Sequence, residues 1–288
     1  MTKKRDIIKT GIQQYRAGIL SLQDDSLCSE EPLEIRVPFL TNNGEAEYRT
    51  LAITMRTPGH DIELARGFLY SEGVISKAAD INGFYYCDER GEAGGRNSLA
   101  LELKVPLPLD SHLLERRFTT YSSCGLCGKT SIQSLELQNP PLLDEQTAII
   151  DGSLLNQLSA QMLKQQHLFQ QTGSAHASGL FDVEGNLIKL CEDIGRHNAL
   201  DKLIGYCLED KPAQLKKSIL LVSGRASFEL VQKTIMAGIP IMAAAGAPSS
   251  LAVATAKRFN LTLIGFLKSS GFNIYNAGWR LKIDSMGG

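Results

Sequence analysis

The C-terminal third of the chain constrains its fold most, because short apolar runs and helical segments alternate there with almost nothing between them. Ser218 to Val222 reads as a continuous apolar strand, Ser227 caps a helix running to Ala237, and Gly238 ends that helix. Ile239 to Ala244 is a second buried strand, Ser249 starts a second helix to Phe259, and Leu261 to Ile264 is a third strand. Connections this short imply a parallel sheet with right-handed crossovers, and so an α/β fold. Every strand-to-helix loop of a parallel sheet lies at the carboxyl edge. Ser223 to Ala226 and Ala245 to Ser250 should therefore stand side by side, with Gly265 to Gly271 joining them after the third strand.

The first half is richer in strands. Leu33 to Val37 and Tyr48 to Thr54 are β-type runs split by the turn signal Asn42-Asn43-Gly44, and Phe84 to Tyr86 with Ser98 to Val105 make another pair. Asp61 to Ser71 has helical spacing, with Gly59 to Asp61 offering a cap and Gly73 a stop. Ser153 to Gln166 is an amphipathic helix candidate with Leu154, Leu155, Leu158, Met162 and Leu163 on one stripe. At 288 residues the chain divides into an N-terminal extension over 1–32, a strand-rich domain over 33–115 and an α/β domain over 116–288.

Charge narrows the classes of partner. Thirty basic against thirty-one acidic residues give a net charge of −1, so no basic field drives nucleic-acid binding. The uncharged stretch Thr234 to Ala256 is broken by Gly238, Pro240, Gly246 and Pro248, which argues against a membrane span. With no apolar leader, a cytoplasmic chain is expected, and its six cysteines are expected as reduced thiols.

The sharpest local feature is Ser123-Cys124-Gly125-Leu126-Cys127-Gly128-Lys129. Two sulfurs three residues apart between glycines suit dithiol exchange or a shared metal, and a thiolate that attacks a disulfide can also attack sulfane sulfur and carry it as a persulfide. The bland alternative is two buried cysteines that fall three apart. A structural zinc needs two further ligands at matching spacing, and no second Cys-x-x-Cys exists, so no resident metal is expected. His176 sits among small residues, while Glu192, Asp193, Arg196 and His197 crowd around Gly195; these five are candidate supporting residues. Asp201 and Lys202 are expected on a solvated helix face. The edge loops bring Gly, Ser, helix-start amides and the cations Arg225 and Lys268, a combination that suits a phosphate-bearing ligand.

Taken in order, Ala65 to Ile75, Ser123 to Lys129, His176 to Phe181, Glu192 to Gly205, Ser223 to Lys233, Ala247 to Val253 and Asn260 to Phe266 resemble the formate dehydrogenase accessory sulfurtransferases of the FdhD type. Departures are small: Ile194 for Val, Ala175 for Thr and Gly246 for Ser. The resemblance implies a cytidine-deaminase-like three-layer α/β domain in a cytoplasmic homodimer. It implies that Cys124 accepts sulfur from a cysteine desulfurase as a persulfide, with Cys127 as its partner. It also implies delivery to the molybdenum of a bis(molybdopterin guanine dinucleotide) cofactor, for a formate dehydrogenase, with neither nucleic acid nor membrane as partner. The cofactor segment is then Phe266, Leu267, Lys268, Ser269, Ser270 and Gly271, with Arg225 and Ser249 beside it. A zinc nucleobase deaminase fits less well, because Ser178 stands where its Glu belongs and the cysteines precede His176. A thioredoxin-like dithiol oxidoreductase has only the Cys-x-x-Cys in its favour.

Overall fold

A computed structural model describes residues 6–87, 96–108, 118–119, 132–133, 135–136, 138–141, 143 and 149–283 of the chain. Strands β1 (Ile7–Arg16) and β2 (Ile19–Cys28) form an antiparallel hairpin that is mostly exposed, with Leu22 at 83% and Tyr15 at 72% of their full accessible surface. The sequence pattern had marked no strands in this extension, since its apolar residues serve no buried face. The next sheet contains β3 (Glu31–Leu40), β4 (Ala46–Arg56), β5 (Ile81–Tyr86), β6 (Ser98–Leu103), β7 (Leu107–Pro108) and β8 (Phe118–Thr119). Its order is β5-β6-β3-β4-β8, with β7 also pairing with β3. Helix α1 (Asp61–Ser71) lays Leu64, Ala65, Phe68 and Leu69 on Leu33, Ile35, Val37 and Leu101 of that sheet.

The rest of the described chain runs β9 (Ile150–Asp151), α2 (Gly152–Gln165), α3 (His167–Thr172), β10 (His176–Phe181), β11 (Leu187–Asp193), α4 (Arg196–Asp210) and α5 (Pro212–Leu215). It continues with β12 (Ile219–Val222), α6 (Phe228–Met236), β13 (Ile241–Ala244), α7 (Ser250–Arg258), β14 (Thr262–Lys268), β15 (Gly271–Asn276) and β16 (Leu281–Lys282). The central sheet has the order β11-β10-β12-β13-β14-β15. The three strands legible in the sequence, β12 to β14, are its parallel core, and β10, β11 and β15 are antiparallel flanks.

Successive side chains of a strand point to opposite faces, and here both faces are covered. Leu220, Val222, Met242, Ala244 and Leu263 pack with residues of α4, α6 and α7. Ile219, Leu221, Ile241, Ala243 and Ile264 pack with Leu155, Leu158 and Met162 of α2. Helices, sheet and helix therefore make three layers. The α2 stripe is narrower than its spacing suggested, for Leu163 remains 50% exposed.

Helix α4 joins the two sheets. One side carries Leu200, Leu203, Ile204 and Cys207 into the α/β core, while the other crosses α1 where Gly67 and Gly205 meet. That double burial overturns the expectation that Asp201 and Lys202 face solvent: they are 3% and 2% exposed. Each is matched by an opposite charge, Lys202 to Asp193 at 2.6 Å and Asp201 to Lys233 at 2.9 Å. A third correction concerns the end of β14. The strand runs past Ile264 to Lys268 and turns through Ser269 and Ser270 into β15, so Phe266 to Gly271 is a strand end and hairpin turn rather than a loop. No helix among the described residues is long and apolar enough to cross a membrane.

Candidate functional site

The edge loops converge as their order on the sheet predicts. The Ala226 amide donates to the Ala247 carbonyl at 3.1 Å, Gly246 to Gly224 at 2.9 Å, and Phe266 to Gly246 at 3.1 Å. Small residues are required here: a Cβ on Gly265 would stand 2.9 Å from Pro248 Cδ, and one on Gly246 3.1 Å from the Arg225 backbone. Ser249 caps α7 by accepting from the Ala252 amide at 3.1 Å, and Ser227 occupies the N-cap position of α6. Arg225, Phe266, Lys268, Ser269 and Ser270 are exposed on this rim, Gly271 is half-buried, and Leu267 points into the core. Phe266 adopts φ 53°, a left-handed conformation that sets its ring outward at 42% exposure.

Beside the rim lies a cavity of about 260 Å³ between the N-terminal sheet and helices α4 and α6. Ile35, Ala52, Leu64 and Phe68 make one wall, and His176, Arg196, His197, Glu229 and Lys233 line the other. The His176 ring rests against Gly224, where a Cβ would be 3.5 Å from Nδ1, so cavity and edge loops share a border. Burial lowers the pKa of His176, and the positive charges of Arg196 and His197 lower it further. His197 Nε2 lies 3.4 Å from Ser227 Oγ and 3.6 Å from Glu229 Oε2. Its interaction with the imidazole holds the Glu229 carboxyl down to about 2. At the cavity floor Lys233 donates to both Asp201 oxygens at 2.9 Å, and Ser71 Oγ donates to Asp201 at 3.2 Å.

The supporting residues divide into two groups. His176, Arg196 and His197 line the cavity. Glu192 and Asp193 serve the framework: the Glu192 carboxylate accepts from the Leu168 and Phe169 amides at 2.9 Å each, capping the start of α3. Buried Asp193 accepts from the Thr57 amide at 3.1 Å and the Gly195 amide at 2.8 Å. Asn198 donates to the Met55 carbonyl at 2.7 Å and completes the seam between β4 and α4. Glu229 and Lys233 were missed in the sequence because each reads as an ordinary polar residue of an amphipathic helix. Their spacing of four on α6 places them on one face, and only the packing of α1 against that face encloses it. Cys124 and Cys127 lie outside the described residues.

A larger groove of about 650 Å³, bordered by Arg66, Lys77 and Lys216, opens at the opposite end of α4. It is remote from both histidines and from the edge loops, so size alone does not make it the better candidate. The fold and the site define a three-layer α/β protein with a second β-sheet docked on it, whose sheet edge pairs Gly- and Ser-rich loops with a cavity containing His and Arg.

The FdhD/NarQ family pattern matches residues 28–282, and the chain belongs to that family. It is 42% identical over 286 residues to the sulfur carrier protein FdhD of Streptomyces coelicolor, covering 98% of this chain and 96% of that one. It is 40% identical over 272 residues to the sulfur carrier protein FdhD of Thermoplasma acidophilum, covering 93% and 91%. Its fold is similar to the crystal structure of a candidate formate dehydrogenase accessory protein from Desulfotalea psychrophila, with a TM-score of 0.71 at 24% identity, covering 96% of this chain and 99% of that one.

Proposed function

We propose that the chain is a sulfurtransferase in which Cys124 accepts sulfur from a cysteine desulfurase as a persulfide and passes it to the molybdenum of bis(molybdopterin guanine dinucleotide), in support of a formate dehydrogenase. The protein acts as a cytoplasmic homodimer in this reading. The near-complete match to relatives named as sulfur carriers, in a chain that has the Cys124–Cys127 pair, carries it.

The chemistry is a thiol exchange. The Cys124 thiolate attacks the terminal sulfur of the desulfurase persulfide, an S–S bond forms at Cys124, and the desulfurase cysteine leaves as its thiolate. Cys127 is positioned in sequence to attack the inner sulfur of that persulfide and form a disulfide as the terminal sulfur departs. The molybdenum cofactor is the substrate of the second step. Phosphates of its guanine dinucleotide suit Arg225, Lys268 and the amides that open α6 and α7, and Phe266 offers an exposed ring to a flat base. Chain length supports a single working face. Thr119 pairs beside Ile53 on β4, whose neighbours Ala52 and Thr54 line the cavity, and five residues on from Thr119 span at most about 18 Å to Cys124.

Intact-mass spectrometry after incubation with a desulfurase and cysteine tests the reading. One added sulfur atom on the wild type and none on Cys124→Ala is the expected result. Normal loading of Cys124→Ala would overturn the assignment.

A further inference from the structure

The β1–β2 hairpin is fastened to the molecule at one end. The Ser29 amide donates to the Asp6 carbonyl at 2.8 Å, buried Cys28 holds its Sγ 3.1 Å from Thr57 Oγ1, and α3 lies beside β2. Toward the other end every residue of β2 from Ile19 to Asp25 is exposed, on both faces alike. Ten-residue strands make the hairpin about 30 Å long. Neither strand pairs with a third among the described residues. A two-stranded ladder is only marginally stable in water until another strand or element packs on it. The register separates its two faces. On one, Tyr15 stands beside Leu20, Gln13 beside Leu22, Gly11 beside Asp24 and Lys9 beside Ser26. On the other, Arg16 stands beside Ile19 and Thr10 beside Asp25. The first face therefore ends in an uncharged patch of Tyr15, Leu20 and Leu22, at 72%, 62% and 83% exposure. Charge is divided between the strands: β1 has Lys9 and Arg16 and no acid, while β2 has Asp24 and Asp25 and no base.

We propose that the Tyr15–Leu20–Leu22 face of this hairpin docks on the same face of a second copy of the chain, about a two-fold axis that runs along the strands. Such an axis lays β1 of each copy over β2 of the other. Tyr15 then meets Leu20, Gln13 meets Leu22, and Lys9 comes within reach of Asp24, each contact occurring twice. The face is thus its own complement, apolar tip on apolar tip and cationic strand on anionic strand, which points to a second copy rather than to a foreign protein. The opposite face lacks this match, because Arg16 interrupts its tip. Eight side chains in a strip of this length cover on the order of 500 Å² per copy, or about 1,000 Å² in all. That is the low end for a specific interface and suits a dimer that dissociates on dilution. The proposal gives a surface to the homodimer of the function proposed above and rests on no other part of that reading.

Sedimentation equilibrium of the full chain at low ionic strength tests the surface. The wild type should dimerise with a micromolar Kd. Leu20→Asp and Leu22→Asp should each weaken the dimer at least about tenfold, since each buries a carboxylate in the apolar patch. Ile19→Asp puts the same charge on the opposite face of the same hairpin and should dimerise like the wild type. Lys9→Glu and Asp24→Lys should each weaken self-association about fivefold, because each turns two attractions into repulsions. An equimolar mixture of those two variants should regain wild-type affinity, for in the mixed dimer both contacts again join opposite charges. Mixing repairs a contact between copies and cannot repair a fold. A wild-type dimer that Leu20→Asp leaves intact, or that Ile19→Asp disrupts equally, would overturn the surface, as would a mixture no tighter than its components. A wild type that stays monomeric at about 100 μM removes the homodimer together with the surface. Sulfur on Cys124, counted by intact mass in the same samples, decides the sulfurtransferase reading separately.

Discussion

Gly67 of α1 and Gly205 of α4 face each other so closely that their two helix backbones are in contact. A Cβ on Gly67 would overlap the Asp201 carbonyl and stand 2.9 Å from the Gly205 amide nitrogen. One on Gly205 would overlap the Glu63 carbonyl and stand 2.8 Å from the Gly67 nitrogen. This crossing presses the N-terminal sheet onto the α/β core and closes the cavity between them. Neither backbone can give way without moving a whole helix. Gly205→Ala is expected to cost about 3 kcal/mol or more, which lowers Tm by roughly 6–12 °C. Gly11→Ala, on the exposed hairpin with nothing within 4 Å, is the control and should melt like the wild type in calorimetry.

The Asp201–Lys233 pair adds a second tie across the same interface, for Lys233 comes from α6 and Ser71 of α1 donates to Asp201. Both charges are buried, so removing Lys233 leaves the Asp201 carboxylate out of solvent with no opposite charge and only the Ser71 hydroxyl donating to it. Lys233→Met should cost about 3–5 kcal/mol. Lys233→Met combined with Asp201→Leu should recover part of that loss, because an apolar pair leaves no buried charge. Urea unfolding of the three proteins decides it, and a double variant weaker than Lys233→Met would refute the account.

Much of this was legible in the sequence, and what escaped has a physical cause. Strands β12 to β14 and helices α6 and α7 declare themselves because each is short, apolar and bounded by Gly, Pro or Ser, signals that are local. The meeting of the edge loops follows from topology alone. The burial of Asp201 and Lys202 does not: a helix packed on two sides carries its polar residues inward, and only the partners reveal it. Lys233 and Glu229 escaped for the same reason, since α1, which encloses them, is more than 150 residues away in the chain. Glu192 looked like part of a reactive cluster, yet it caps α3, a role set by a helix that ends four residues before β10 begins.

His176 makes the site sensitive to pH. Its pKa in the folded chain is depressed below 6.5 by burial and by the cations beside it. The unfolded chain takes up this proton near 6.5, and the folded chain takes it up only at lower pH. The histidine's contribution to stability is therefore whole above 6.5 and declines as pH falls through the window below it. His176→Gln should lack that decline when the two proteins are compared by denaturant unfolding across pH 5 to 8. Ring-proton NMR should also place the His176 titration below that of an unperturbed imidazole, for burial and the Arg196 and His197 charges both disfavour its cation. A midpoint at the ordinary value would contradict the geometry.

The rim supplies the last test, because it separates the proposed nucleotide binding from the proposed sulfur loading. Lys268 ends β14 on the exposed turn to β15, within the segment whose Phe266 amide is tied to the Gly246 loop at 3.1 Å. Its ammonium and the Arg225 guanidinium are exposed cations on one edge, where they can meet phosphates without displacing any ion pair among the described residues. Lys268→Glu reverses one of those charges at an exposed site that supports no core contact, so the fold should be unaffected. The loss of a charge-assisted contact typically amounts to about 1.5–3 kcal/mol, which is at least a tenfold fall in affinity. With GDP as the surrogate ligand, calorimetry should show that fall, and added salt should narrow the gap between the two proteins because the contact is solvent-facing. Sulfur loading at Cys124 should stay at the wild-type level, since it uses a different partner. Equal GDP affinity in both proteins would place the nucleotide elsewhere on the molecule.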